Sequence, residues 1–174
     1  MKHVIELRTD GVDYARFWRA YFSESFNLEL IPAVGLAERS VRERTMLPDG
    51  RERICLHVVP RVQLPAWAAK LAQGASLGYD EETVFDPAGR RAHTTVRTPG
   101  RDLLRVSAEV SFSERAAGVD TRLELDLQAK LLGVGGIIER FVARETEARY
   151  RIIERTLQRF VDEQRDRAGT IAAQ

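Results

Sequence analysis

The sequence predicts an α+β domain in which a curved antiparallel sheet of about six to seven strands wraps around a long C-terminal helix. Between residues 104 and 129, apolar residues alternate with polar ones, which is typical of an antiparallel sheet with one wet face. From Val134 to Gln164, apolar residues recur at helical spacings while charged residues cover the other face. Two short helices are predicted after the first strand.

The first strand is predicted over Val4–Arg8. A helix over Tyr14–Phe22 breaks near Ser23 and resumes as far as Leu30, before Pro32 ends the region. This helix pair carries a dense group of aromatic residues. They form ordinary core in one interpretation and a lid over a pocket mouth in the other.

After Gly35 the pattern changes to that of β-strands. Four strands precede the alternating region: Leu36–Met46, Arg53–Val59, Tyr79–Phe85 and Arg91–Arg97. A short helical segment over Trp67–Leu71 is predicted to cross outside the sheet.

Residues 1–165 are predicted to form a single domain and residues 166–174 a frayed tail. The formal net charge of +1 argues against nucleic acid as a partner. No apolar run approaches the roughly 20 residues of a membrane span, so no stable membrane insertion is expected. The single cysteine, Cys55, cannot form an internal disulfide, and a cytoplasmic location is predicted. The sequence leaves the oligomeric state open.

One strand, two short helices, a strand meander and a long final helix follow one another as in the helix-grip fold. The chain therefore resembles the START-like (SRPBCC) superfamily, which includes lipid-transfer START domains, birch-pollen-allergen-like proteins and polyketide cyclases. It is most similar to an uncharacterised bacterial branch, in which a glycine cluster at a strand end precedes an acidic residue and an apolar helix. Here that motif is Leu132-Gly133-Val134-Gly135-Gly136-Ile137-Ile138-Glu139-Arg140-Phe141-Val142. The resemblance implies a cavity between the concave sheet and the final helix.

The leading hypothesis is non-catalytic binding of a small lipid-like or polycyclic hydrophobic molecule, without a cofactor. One alternative is a polyketide cyclase or dehydratase-like enzyme, which converging ionisable side chains in the cavity would favour and an all-apolar lining would oppose. A second alternative is a protein-interaction module, which a large exposed apolar patch would support.

The candidate ligand contacts are mostly apolar and aromatic, as pocket linings generally are. They are Phe17, Trp18, Tyr21, Leu56, Val58, Trp67, Tyr79, Phe85, Val106, Phe141 and Glu145. The hydroxyl of Tyr79 could orient a polar group of the ligand. Glu145 interrupts the apolar stripe of the final helix and is interpreted as a structural ion-pair partner, a polar ligand anchor or a buried carboxylate with a raised pKa.

No catalytic or metal-ligating residue is assigned. His3, His57 and His93 are too far apart in sequence for a local metal motif. His57 and His93 are predicted on the wetter sheet face, although a register shifted by one residue would turn both into the cavity. Gly133 and Gly135 lack the third glycine and the following strand of a dinucleotide-binding unit, which argues against nucleotide binding.

Overall fold

The computed structural model describes residues 1–61, 78–98 and 104–172, with side chains described as far as residue 167. The elements in chain order are β1 (Lys2–Asp10), α1 (Tyr14–Tyr21), α2 (Glu24–Ala33), β2 (Leu36–Met46), β3 (Glu52–Pro60), β4 (Tyr79–Asp86), β5 (Arg91–Arg97), β6 (Leu104–Arg115), β7 (Gly118–Ala129) and α3 (Gly135–Ala172). The helical segment predicted over Trp67–Leu71 lies outside the described residues.

The strands form one curved antiparallel sheet in the order β1-β7-β6-β5-β4-β3-β2. The first strand pairs with the last, while the intervening strands follow one another as a meander. Helix α3 packs against β1 and β7, and α1 and α2 pack against α3. The predicted α+β helix-grip fold, with a long C-terminal helix and two short helices after the first strand, is confirmed.

The break between α1 and α2 lies at Ser23, as predicted. Ser23 has an extended backbone, and its hydroxyl accepts a hydrogen bond from the Phe26 amide at 3.2 Å, which caps α2. Pro32 lies inside the last turn of α2 rather than after it, and the helix ends one residue later at Ala33. Gly35 then adopts a φ of +67°, a left-handed conformation that favours glycine, and leads the chain into β2.

Helix α3 extends to Ala172, beyond the predicted end at Gln164. The charged residues that give this region the composition of a polar tail form ion pairs one helical turn apart. Arg165 pairs with Asp162 at 3.1 Å, and Arg167 pairs with Glu163 at 3.6 Å. Such pairs stabilise an exposed helix although they bury no apolar surface.

The buried side chains form three groups, which determine where space remains inside the molecule. The first group joins α1, α2 and the C-terminal half of α3 through Phe17, Phe26 and Phe160. The second joins β1, β6 and β7 to α3 at Ala143. The third lies on β2 and β3 around Leu56. The candidate cavity lies where these groups meet beneath the middle of α3.

None of the helices in the described parts of the chain combines the length and the apolar character needed to cross a membrane.

Candidate functional site

A cavity lies between the concave face of the sheet and the three helices. It has two adjoining lobes, with volumes of about 190 Å³ and 130 Å³. Five side chains border both lobes, and we call this set the waist: Tyr21, Arg39, Glu81, Thr94 and Tyr150. The waist therefore places hydrogen-bonding and ionisable groups in the middle of the cavity.

The larger lobe is walled mainly by aliphatic side chains from five strands and two helices. They are Leu30, Val34, Leu36, Val58, Val96, Val106, Ala108, Leu125 and Ile153. The polar residues bordering this lobe outside the waist are Tyr79, Thr146 and Arg149. The positive charge of Arg149 acts on the neighbouring Tyr79 hydroxyl and lowers its pKa, against the larger effect of burial.

The smaller lobe is walled by aromatic and aliphatic side chains. They are Phe22, Val41, Ile54, Leu56, Phe85, Ala92, Val110 and Phe112. Three polar residues complete its border, and each is hydrogen-bonded within the protein. Asn27 accepts from Arg39, Arg44 donates to Glu52, and the hydroxyl of Thr83 lies 2.8 Å from that of Thr94.

Strand β4 carries Glu81 into the waist because alternate residues of a strand point to the same face. Glu81 lies opposite Leu56 on β3 and opposite Val96 on β5, so its cross-strand neighbours are apolar. The hydroxyl of Thr83 donates a hydrogen bond to the Glu81 carboxyl group at 3.3 Å. The alternation of side-chain directions along β4 therefore explains why a glutamate faces the cavity.

Burial is the main influence on the Glu81 carboxyl group and raises its pKa. The positive charge of Arg39 and the hydrogen bond from Thr83 oppose this effect but do not cancel it. A raised pKa favours the protonated form, which can donate a hydrogen bond as well as accept one.

Burial also raises the pKa values of the tyrosines in the waist. Burial raises the pKa of Tyr21 to about 12, with Arg39 opposing the shift. The pKa of Tyr150 is raised well above its ordinary value, first by burial and then by the neighbouring Tyr21. Burial also raises the pKa of Tyr79 in the larger lobe. All three hydroxyls therefore keep their protons at neutral pH and act as hydrogen-bond donors.

This arrangement can hold an apolar molecule and form hydrogen bonds with an oxygen atom on it. Neighbouring carboxyl and hydroxyl groups can also transfer protons, so the composition of the waist allows acid–base chemistry. Among residues 1–61, 78–98 and 104–172, no group of three or more side chains is arranged to hold a metal ion.

Six of the predicted ligand contacts line the cavity: Tyr21, Leu56, Val58, Tyr79, Phe85 and Val106. Phe17 and Trp18 lie beside it in the aromatic core, where the Trp18 ring meets the Phe85 ring edge-on at a centroid distance of 5.9 Å. Trp67 lies outside the described residues. The role of all these residues in ligand binding stays a prediction.

Phe141 and Glu145 are not among the described side chains that border the two lobes. The cavity-facing direction of α3 is set by the four residues of this helix that line the larger lobe, Thr146, Arg149, Tyr150 and Ile153. At about 100° per residue, Glu145 lies roughly a quarter turn away from that direction and Phe141 roughly a third of a turn. The apolar stripe predicted from the sequence therefore does not coincide with the residues of α3 that face the cavity.

His57 on β3 and His93 on β5 lie on the outer face of the sheet, whereas His3 on β1 lies on the inner face and is hydrogen-bonded to Glu147 of α3 at 3.0 Å. His57 is hydrogen-bonded to Asp80 at 2.8 Å, and His93 to Glu109 at 2.6 Å. The alternation of apolar and polar residues along β3 and β5 predicted His57 and His93 on this solvent-exposed face.

Sequence reasoning missed Glu81, Arg39 and Tyr150. A signal for Glu81 was available, since Tyr79 and Phe85 were predicted to contact ligand and the same alternation places Glu81 on their face. Arg39 offered no such signal, because the pairing of β2 with β3 shifts register between Leu36 and Glu38.

Comparison with known families places the chain in a family whose function is not known. Residues 7–161 match the model of a family described as a protein of unknown function, DUF2505. No curated protein matches the chain.

Solved structures with a similar fold cover nearly the whole chain. The protein TTHA0849 from Thermus thermophilus is 18% identical with a TM-score of 0.61, covering 92% of this chain and 97% of that one. The Zhui aromatase/cyclase from Streptomyces sp. R1128 is 15% identical with a TM-score of 0.58, covering 92% and 94%. A START superfamily protein from Mycobacterium smegmatis is 15% identical with a TM-score of 0.51, covering 91% and 97%. These similarities establish that the chain has the START-like fold that the order of its elements predicted.

Proposed function

The chain belongs to the DUF2505 family and has a START-like fold, and from this premise we propose that it binds a small hydrophobic molecule in the cavity between its sheet and α3. The observation that carries the proposal is a cavity with apolar walls and a polar waist. Apolar walls favour ligand binding by about 25 cal/mol for each Å² of apolar surface removed from water.

The size of the cavity limits the ligand. Lobes of about 190 Å³ and 130 Å³ together lie at the lower end of the range of roughly 300–1,000 Å³ for small-molecule pockets. The ligand is therefore a compact lipid-like or polycyclic molecule. The START-like relatives support this class through their shared fold.

Native mass spectrometry of the purified protein, followed by organic extraction, tests whether a hydrophobic compound copurifies. A fluorescent apolar dye then tests the site with two matched variants on β6. Ala108→Leu places a larger side chain into the larger lobe, whereas Ser111→Leu places the same side chain on the exposed outer face. We expect Ala108→Leu to weaken dye binding at least about tenfold and Ser111→Leu to leave it unchanged. Equal affinities in both variants would show that the dye binds elsewhere.

A polyketide cyclase or dehydratase-like enzyme is the second candidate, and one observation favours it. Glu81, Tyr21 and Tyr150 converge in the cavity, which is the arrangement that acid–base catalysis requires. In a dehydration, one group would remove a proton beside a carbonyl while another protonates the departing hydroxyl, so that water leaves and a double bond forms.

A conservative variant of Glu81 distinguishes catalysis from binding alone. If the chain is an enzyme, Glu81→Gln keeps ligand affinity within a few-fold but removes turnover of a β-hydroxyketone substrate. A wild-type protein that binds such compounds and leaves them unchanged contradicts the enzymatic candidate and leaves the binding function intact.

A further inference from the structure

The polar groups that border both lobes lie at the middle of the cavity. On one side of the waist, the larger lobe presents Val58, Val106 and Leu125. On the other side, the smaller lobe presents Ile54 and Phe85. A ligand that fills both lobes must therefore pass its central part between Tyr21, Glu81 and Tyr150.

Several of the polar residues beyond the waist already interact with other groups of the protein. In the larger lobe the positive charge of Arg149 acts on the neighbouring Tyr79 hydroxyl. In the smaller lobe Asn27 bonds to Arg39, and Arg44 bonds to Glu52. Part of the hydrogen-bonding capacity at the two ends of the cavity is therefore already used within the protein, whereas the waist borders both lobes.

The waist has hydrogen-bonding capacity to offer. The described hydrogen bonds of Glu81 and Thr94 both involve the Thr83 hydroxyl. The hydroxyls of Tyr21 and Tyr150 each add a donor at the same place. If a purely apolar part of a ligand lay at the waist, these groups would lose their hydrogen bonds to water and gain none in return. This loss would weaken binding.

Given the proposed binding function, we propose that the ligand carries a hydrogen-bond acceptor, a ketone or hydroxyl oxygen, near its middle, with apolar groups on both sides. Tyr21 and Tyr150 donate hydrogen bonds to this oxygen, and the two lobes each take one apolar end. A molecule with its only polar group at one end satisfies the waist less well.

Three small probes of similar size test this assignment. Benzophenone has a carbonyl between two rings, its isomer 4-phenylbenzaldehyde has the carbonyl at one end, and diphenylmethane has none. Affinities are measured by displacement of a fluorescent dye from the wild-type protein. We expect benzophenone to bind at least about tenfold more tightly than either of the others, as one additional good hydrogen bond allows.

Tyrosine variants assign the effect to the waist. Tyr21→Phe combined with Tyr150→Phe removes both hydroxyls and should reduce the preference for benzophenone over diphenylmethane to about twofold or less. Tyr14→Phe is the matched control, because Tyr14 lies on α1 but packs in the aromatic core beneath Arg90. Circular dichroism confirms that each variant is folded.

The outcomes separate this inference from the proposed function. If none of the three probes binds, the hydrophobic binding function is contradicted. If all three bind with equal affinity, the binding function holds and the central acceptor is refuted. A preference for benzophenone that survives in the double tyrosine variant also refutes the role assigned to Tyr21 and Tyr150.

Discussion

Replacing Glu81 with glutamine should stabilise the protein at neutral pH and reduce the dependence of its stability on pH. Burial raises the pKa of Glu81 above its ordinary value of 4.5, so the folded chain holds this proton more tightly than the unfolded chain does. The stability that results is fully present below about pH 4.5 and is lost as the pH rises through the folded pKa. Glutamine has nearly the same shape and no charge, so it removes this loss.

The magnitude follows from the position of the carboxyl group. Within the titration window, the free energy of unfolding falls by at most about 1.4 kcal/mol for each pH unit. Above the window, the wild type retains a carboxylate between Leu56 and Val96, with Thr83 as a hydrogen-bond donor. Burial of an incompletely compensated polar group costs about 1–3 kcal/mol, which is the stabilisation expected for Glu81→Gln near pH 8.

Urea unfolding followed by circular dichroism at several pH values between about 4 and 8 measures this effect. Glu82→Gln is the matched control, because Glu82 is the next residue of β4 and points to the opposite face of the sheet. The curves for wild type and Glu81→Gln should meet at the acidic end and diverge as the pH rises. Parallel curves, or a Glu81→Gln variant less stable than wild type at the alkaline end, would refute the interpretation of Glu81 as a buried carboxyl group.

Three further predictions concern the fold that surrounds the cavity. Phe112 is 6% exposed and meets three rings at centroid distances of 5.6 to 6.4 Å. Phe112→Ala should therefore cost about 3–5 kcal/mol in urea unfolding, and a cost below about 1 kcal/mol would contradict this packing. Gly35→Ala should cost about 1–2 kcal/mol in calorimetry because of the positive φ, whereas Gly136→Ala, within α3, should stabilise by up to about 1 kcal/mol. If both glycine substitutions changed the stability by the same amount, the positive φ of Gly35 could not be the cause. Ser23→Ala should cost about 0.5–2 kcal/mol because the Phe26 amide loses its cap, and Ser23→Asp should restore most of that stability.

The local pattern of the sequence determined the elements and their order. Alternation along β6 and β7 identified strands with one wet face, and the same alternation along β3 and β5 assigned His57 and His93 to the outer side. These predictions succeed because the direction of a side chain in a strand depends only on whether its position is odd or even. The capping serine at position 23 likewise marks the helix break through a purely local hydrogen bond.

The composition of the waist was decided only by the tertiary structure. Its five residues come from α1, β2, β4, β5 and α3, so no segment of the sequence contains the set. Their meeting depends on the shifted pairing of β2 with β3 and on which side of α3 faces the sheet. Glu145 illustrates the second dependence, because it interrupts the apolar stripe but lies about a quarter turn from the cavity. Glu81, inside the acidic run Asp80-Glu81-Glu82, has the composition of an exposed strand, but it is half-buried and borders the cavity because its position in β4 turns it to the inner face of the sheet.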